Sequence, residues 1–322
     1  LTGAISLIAP VLLSPLSEHR LSLQESFTAI AGKTVVITGA SDGIGRVASL
    51  TLTAAGAHVV MVGRNAAKTV AAAQRIMSAT GSRTVTAEIA DLSRRDAVLE
   101  LADGVLRKHE QIAVLINNAG ALFLDRQITP DGFERTFALN HLAYFALSVQ
   151  LLPALARAGT ARIINVSSRA HRRARLDVDD VVAPASYRSW RAYANSKLAN
   201  ILFTKVMAHQ LDPARISVHA VHPGLVSTRF AANNGMRGRL IRRIMDLRAI
   251  SPEQGADSLV WLATANAGDL GSGEYFVRRQ RVTPSRAARN TALADALWTV
   301  SERCTQLNAH TMIAHTGVGR AS

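Results

Sequence analysis

The chain has 322 residues, 48% of them apolar and 19% charged, which suits a folded domain with a large core and excludes an extended disordered protein. Its one cysteine, Cys304, rules out an intrachain disulfide and a Cys-based metal site, and fits a reducing, cytoplasmic setting. Net charge is +14, clustered in RAHRRAR (169–175), MRGRLIRR (236–243) and RRQRVTPSRAAR (278–289) without the interleaved aromatics of a nucleic-acid surface, so these stretches read as solvated loops or a membrane-facing rim and nucleic acid is not expected as a partner.

The chain begins LTGAISLIAPVLLSPLSEHR, an apolar run broken by Pro10 and Pro15. That run is short of the roughly 20 residues a spanning helix needs, and it lacks the basic flank of a secretory signal. Residues 1–30 therefore read as an N-terminal extension, either a disordered arm or a surface anchor. From there one domain extends over 31–307, and the tail 308–322 (NAHTMIAHTGVGRAS) shows no convincing period and reads as flexible.

Within the domain, β-branched runs alternate with helical patterns. The runs are TVVITG (34–39), HVVMVG (58–63), RTVTAEIA (83–90), IAVLINNAG (112–120), ARIINVSS (161–168) and RISVHAVHPG (215–224). Their near-continuous hydrophobicity is that of strands buried on both faces of a parallel sheet. Helical patterns such as 45–56, 132–158 and 196–211 lie between them. The alternation predicts an α/β fold, a Rossmann-type doubly wound parallel sheet with helices on both faces.

The first strand leads into Thr38-Gly39-Ala40-Ser41-Asp42-Gly43-Ile44-Gly45. Glycines between a strand and a helix let the backbone approach a pyrophosphate, which then sits on the helix N-terminus. The spacing G-x-x-x-G-x-G is a variant of the usual dinucleotide fingerprint, and it nominates Gly39, Ser41, Asp42, Gly43, Ile44 and Gly45 as cofactor-binding. The second strand ends at Gly63-Arg64-Asn65. A fold selective for NAD usually carries an acidic residue there. Arg64 instead offers a guanidinium suited to a 2′-phosphate, so Arg64 and Asn65 predict NADP(H).

Further on, the string YANSK (193–197) puts Tyr193 and Lys197 one above the other on a helical face. Tyr187 is a rival tyrosine, but Arg191 stands where its lysine would be. His171, His219 and His222 lack metal-ligand spacing and read as structural or rim residues, so no metal is expected.

With the glycine turn, INNAG (116–120), Asn140, NVSS (165–168), YANSK and HPG (222–224) in this order, the sequence resembles the short-chain dehydrogenase/reductase family. SSRAH (167–171), YANSKLANILF (193–203), SVHAVHPGLVST (217–228), SPEQGA (251–256), GEYF (273–276) and LADALWTVSERCTQL (293–307) are similar to its retinol-dehydrogenase and protochlorophyllide-reductase-like branch. The resemblance implies a parallel sheet of about seven strands and a small substrate lid at about 229–250. It implies that Asn118, Ala119 and Gly120 close over the adenine ribose and that Asp91 and Leu92 face the adenine. Pro223, Gly224, Val226 and Thr228 would hold the nicotinamide carboxamide.

The resemblance also supplies a chemistry. Hydride transfer belongs to the cofactor, and the protein orients the carbonyl and moves a proton. A tyrosine is a poor general base at its ordinary pKa near ~10. The Lys197 ammonium and an oxidised nicotinamide would lower that of Tyr193, while Lys197 also binds the nicotinamide ribose. Spacing alone leaves Ser167 and Ser168 open, and the family motif favours Ser168 as the donor to the substrate oxygen. Asn140 would anchor a water that carries the proton from Lys197 to solvent. Phe230, Met236, Leu240, Ile241, Ile244 and Met245 in the lid suit a lipophilic alcohol, aldehyde or ketone that contacts Ser168 and Tyr193. Reduction of a conjugated carbon–carbon double bond and a non-catalytic NADP-binding sensor or scaffold are the alternatives. The family includes monomers, dimers and tetramers, so a homo-oligomer and peripheral membrane contact stay open.

Overall fold

The computed structural model describes residues 28–224 and 250–320. Strands β1 (Thr34–Thr38), β2 (His58–Gly63), β3 (Val85–Ile89), β4 (Val114–Asn117), β5 (Ala161–Val166), β6 (Ile216–His222) and β7 (Glu274–Val277) form a parallel sheet. Their spatial order is β3-β2-β1-β4-β5-β6-β7, and a short β8 (Gln280–Arg281) turns back antiparallel on β7. Every residue of β4, β5 and β6 is buried, polar Arg162, Asn165 and His219 among them, whereas β3 at the sheet edge buries Val85 but leaves Ile89 exposed, against the expectation of burial on both faces. Chain order reverses between β1 and β4, which opens a crevice at the carboxyl ends of these strands.

Helices cover both faces. Strand β1 sends Val35 and Ile37 to one side and Val36 to the other, the period of a strand. On the first side lie α1 (Gly43–Ala54), α2 (Ala66–Thr80) and α8 (Pro252–Thr264), contributing Leu52, Ile76 and Leu259. On the second lie α3 (Arg95–Lys108), α5 (Ala143–Gln150) and α7 (Ser189–Gln210), contributing Val105, Phe145 and Met207. Side chains of this size stabilise the fold by about 1.5–3 kcal/mol each when fully buried. Helix α8 starts at a reciprocal cap, Ser251 Oγ accepting from Gln254 N and Gln254 Oε1 accepting from Ser251 N, each at 3.2 Å. Its last carbonyls, Leu262 and Ala265, accept from the guanidinium of buried Arg162 in β5.

The structure differs from the sequence reading in two places. The pattern over 132–158 is not one helix. It begins with α4 (Arg135–Phe137), widens into a π turn (Ala138–Leu142), continues as α5, and restarts as α6 (Leu152–Arg157). Glu134 caps the start by accepting from Thr136 N at 2.7 Å and Phe137 N at 2.8 Å. Pro153, in the first turn of α6, has no N–H to extend the ladder of α5.

The second difference is the tail. Residues beyond 307 pack as α11 (Ala309–Thr316) against the end of the domain, after α9 (Ala267–Leu270) and α10 (Thr291–Thr305). Asn308 Oδ1 caps it by accepting from Thr311 N at 2.9 Å. Ala309, Ile313 and Val318 are buried, and backbone bonds Asp212 N to Val318 O and Arg320 N to Gln210 O, both 2.8 Å, pin its end. An apolar face of that size, capped at both ends, repays the entropy of ordering where a uniformly polar tail could not. The N-terminal extension before residue 28 and the proposed lid at 229–249 lie outside the described residues.

Candidate active site

The turn after β1 adopts the geometry its glycines permit. Gly39 has φ +66°, and a Cβ there would come 2.8 Å from Ala119 Cα at the end of β4. A Cβ on Gly45 would come 2.4 Å from Gly39 O, so the helix packs directly on the turn. Asp42 caps α1 through Gly43 N at 2.8 Å, with Ser41 and Ile44 partly exposed beside it. The first N–H groups of such a helix have no intrahelical partner and face the crevice.

Around this turn the strand ends are tied together. Ala40 N donates to Val62 O at 3.0 Å, which brings the end of β2 and exposed Arg64 beside the turn. Asn65 caps α2 by accepting from Lys68 N at 2.9 Å. Asn118 Nδ2 donates to Thr38 O at 2.8 Å, and Thr38 Oγ1 accepts from Asn118 N at 2.9 Å and Ala119 N at 3.0 Å. Thr38 thus clamps β1 to β4, a role the sequence reading missed. Asp91 accepts from Ser93 N at 3.1 Å and pairs with Arg135 at 3.5 Å, while Leu92 is buried. Just past β6, Pro223 is buried and Gly224 has φ +104°, where a Cβ would lie 2.4 Å from Ile250 Cδ1.

The second cluster lies where β5 meets α7. Helix α7 is buried nearly all round from Ala194 to Thr204, so polar residues on it must find partners. Lys197 Nζ donates to Val166 O at 3.0 Å, 5.7 Å from the ring centre of Tyr193 and 5.5 Å from that of Tyr144. The Ser168 side chain lies close enough to the Tyr193 hydroxyl to favour its ionised form slightly. Ser167, by contrast, is buried and donates to Lys197 O at 2.7 Å. The ambiguity of the serine pair is therefore resolved in position: Ser168 faces Tyr193 and Ser167 does not.

Burial dominates the electrostatics. It pushes the Tyr193 phenol up to about 12, against a smaller lowering from the Ser168 side chain, although part of the ring stays exposed. It pulls the Lys197 ammonium down to about 7. Without nucleotide the phenol thus keeps its proton at neutral pH while Lys197 sits between its charged and neutral forms, and Lys197 alone does not lower the tyrosine. The cause is distance and desolvation: Nζ is turned to the Val166 carbonyl rather than to the phenol oxygen.

Asn140 sits in the π turn. Its side chain accepts from Ala121 N at 2.9 Å and donates to Ala121 O at 3.0 Å and Ser196 Oγ at 3.1 Å. Its main-chain oxygen accepts from Asn200 Nδ2 at 2.9 Å. The Cβ position at Gly120 lies 3.2 Å from Asn140 Oδ1 and 3.4 Å from Lys197 Nζ, so a side chain there would wedge between them.

The rival Tyr187 is elsewhere, donating to Phe123 O at 2.6 Å. Of the residues carried over from the resemblance, Val226, Thr228 and the apolar lid positions fall outside the described residues.

A nucleotide crevice at a strand-order reversal, with a Ser–Tyr–Lys cluster at the next strand end, defines a dinucleotide-dependent oxidoreductase architecture. The short chain dehydrogenase family model matches residues 33–237. Human retinol dehydrogenase 13 is 35% identical over 286 residues, covering 87% of this chain and 86% of that protein. A solved structure of an uncharacterized protein from Mycobacterium paratuberculosis is 32% identical with TM-score 0.71, over 87% of this chain and 96% of that one. The Pseudomonas aeruginosa RhlG/NADP active-site complex is 26% identical with TM-score 0.62, over 78% and 96%. The chain belongs to the short-chain dehydrogenase family, and within it is retinol dehydrogenase-like, an oxidoreductase acting on an alcohol or carbonyl.

Proposed function

We propose that the protein is an NADP(H)-dependent oxidoreductase that interconverts a lipophilic alcohol and its aldehyde or ketone, with Tyr193 as general acid and base. The observation that carries this reading is the meeting of Ser168, at the end of β5, with Tyr193 and buried Lys197 of α7, at the strand ends that border the glycine turn. The close approach of Gly39 and Gly45, the open N-terminus of α1 and the guanidinium of Arg64 fit a phosphorylated dinucleotide. The RhlG complex with NADP is a relative consistent with that choice. Arg64 would hold the 2′-phosphate, the first turn of α1 would hold the pyrophosphate, and Asn118, Ala119, Gly120 and the Asp91–Leu92 pair would line the adenosine side, with Pro223 and Gly224 at the nicotinamide end.

Bound NADP(H) supplies the hydride in reduction and takes it in oxidation. The chain's own residues handle the proton. In the direction of reduction, Ser168 Oγ donates to the carbonyl oxygen and Tyr193 delivers the proton from its hydroxyl. A phenol held near 12 by burial keeps that proton at neutral pH until negative charge develops on the substrate oxygen. Lys197 orients the ribose and returns a proton toward Tyr193. Both Nδ2 protons of Asn140 are spent on Ala121 O and Ser196 Oγ, so a water in the proton path would be held through Oδ1 or the main-chain oxygen, each of which accepts one of the described bonds.

A lipophilic substrate is supported by Trp190, which is 50% exposed one turn before Tyr193 with its ring 6.3 Å from the tyrosine ring. Two basic stretches meet nearby, Arg172 donating to Thr283 O at 3.1 Å, an arrangement suited to taking such a substrate from an anionic lipid surface. Among the described residues no helix is long and apolar enough to cross a membrane.

An NADPH-consumption screen over apolar aldehydes and ketones, with product identification, tests the reading. The alcohol is the expected product. Tyr193→Phe is expected to lower turnover by about 10²–10⁴-fold with nucleotide affinity intact. A saturated product that keeps its carbonyl assigns double-bond reduction instead, and a fully active Tyr193→Phe enzyme removes Tyr193 from the chemistry.

A further inference from the structure

His171 lies in the 3-10 turn Arg169–Arg173 that follows Ser168, and only 1% of its surface is exposed. Its two ring nitrogens face different partners. Nδ1 is 2.7 Å from Ser168 O, and Nε2 is 3.2 Å from Ser285 N. A backbone amide can only donate, so Nε2 is the acceptor and the ring proton resides on Nδ1, which donates to the Ser168 carbonyl. The imidazole packs edge-on against Tyr275 with ring centres 5.2 Å apart, and burial holds it below the ordinary histidine range, in the neutral state that both bonds need.

The position of these bonds matters more than their number. Ser168 is extended, with φ −156° and ψ 154°, and its Oγ accepts from Ala170 N at 3.2 Å while facing Tyr193. Its carbonyl accepts from His171 N at 3.1 Å as well as from the ring. Among the described bonds to the Ser168 carbonyl, the ring's is the one that leads on to a distant part of the chain, the segment after β8 that carries Ser285, where Arg172 of the same turn also donates to Thr283 O. We propose that His171 is a positioning residue, a neutral imidazole clamp that fixes the Ser168 peptide against the Ser285 segment and so keeps Ser168 Oγ aimed at Tyr193 and the substrate oxygen. This rests on the role given above to Ser168. Loss of the ring bond frees the peptide to rotate, and a displacement of about 1 Å at a reacting group costs on the order of 10²-fold in rate.

Two substitutions separate the bonds. The amide nitrogen of His171→Asn overlays Nδ1 and keeps the donor to Ser168 but cannot reach Ser285. The amide of His171→Gln overlays Nε2 and keeps an acceptor for Ser285 but has no group at Nδ1. The expected result is a kcat loss of about 10–100-fold in the Gln variant, little change in KM for NADPH, and recovery of most of that kcat in the Asn variant. A space-filling histidine predicts instead that both variants lose kcat in parallel with Tm, or that neither does, and either outcome overturns the proposal. The wild-type protein gives an independent reading through the ¹⁵N shifts of the imidazole. An Nδ1–H tautomer is expected, and an Nε2–H tautomer overturns the clamp even if the variants fail to fold. Ser168→Ala distinguishes the two levels of the argument: if it keeps full activity, the role of Ser168 fails and the clamp with it, whereas an inactive Ser168→Ala beside a fully active His171→Gln removes the clamp alone.

Discussion

Replacing Lys197 with Met should make the nucleotide-free protein more stable at low pH while abolishing its turnover. Lys197 is buried, with one hydrogen bond from Nζ, to Val166 O at 3.0 Å, among the described contacts. Its ammonium is held down from 10.5 to about 7 by desolvation. A fall of that size disfavours the charged form by on the order of 5 kcal/mol. Below the folded value both folded and unfolded chains carry the proton, so the full cost is present. Between the folded and the unfolded value the unfolded chain binds more protons, and wild-type stability rises with pH as the cost is relieved. Methionine fills a similar volume with no charge, and Val166 O keeps a donor in Asn200 Nδ2 at 3.1 Å. With relaxation around the site, the Met variant is expected to exceed wild type by about 1–4 kcal/mol near pH 6.

Urea unfolding without nucleotide, at about pH 6 and about pH 9.5, reads that difference. The advantage of Met should shrink strongly at the higher pH. Tyr193 does not confuse the window, because its phenol is pushed up to about 12 and opposes stability only once the unfolded tyrosine ionises near 10. A Met variant less stable than wild type at the lower pH, or a gap that is the same at both, refutes the reasoning.

Gly45→Ala should weaken NADPH binding at least tenfold and cost about 1–3 kcal/mol of stability, because its Cβ would lie 2.4 Å from Gly39 O and 2.7 Å from Asn118 Nδ2. Fluorescence titration of nucleotide and denaturant unfolding check this, and an unchanged affinity contradicts the assignment of the turn. Arg64→Asp should raise KM for NADPH far more than KM for NADH, since it replaces the partner of the 2′-phosphate with a like charge. Steady-state kinetics with both nucleotides decide, and equal effects remove Arg64 from cofactor selection.

The parts of the molecule legible in the sequence are those where one residue type answers one physical demand. Buried parallel strands show as unbroken β-branched runs, and β1, β2, β4, β5 and β6 fall inside the predicted stretches. The glycine turn could be read because a Cβ at Gly39 would lie 2.8 Å from Ala119 Cα and one at Gly45 2.4 Å from Gly39 O, contacts that only glycine avoids. Features set by tertiary partners were not legible. Ser167 and Ser168 are chemically identical neighbours, and only the packing of β5 against α7 gives one to Lys197 O and the other to Tyr193. Arg162 sits in an apolar strand because the end of α8 arrives beside it. For α11 a local signal did exist, Asn308 at the N-cap and Gly317 at the C-cap around Ala309, Met312 and Ile313, but the helix is too short for its period to stand out.

The polar face of α7 explains why the YANSK motif could be recognised and yet its electrostatics misjudged. Spacing placed Tyr193 and Lys197 on one face, and a pair so placed in water would lower the phenol's pKa. In the protein the same face is enclosed, and Ser196, Lys197, Asn200 and Thr204 are each drawn to a main-chain oxygen: Tyr193, Val166, Asn140 and the helix itself. The carbonyl of Val166 competes with the phenol for the lysine, and desolvation moves both groups toward neutrality. A cluster in that condition is poised rather than preset: its proton stays on Tyr193 until charge arrives from outside the protein. Under the proposed function such charge would develop on the substrate oxygen in reduction, whereas in oxidation it would be the positive ring of a bound oxidised nicotinamide, present before the hydride moves. Under the proposed mechanism the arrangement would couple the proton to the hydride, whereas a permanently acidic tyrosine would lack the proton that carbonyl reduction requires.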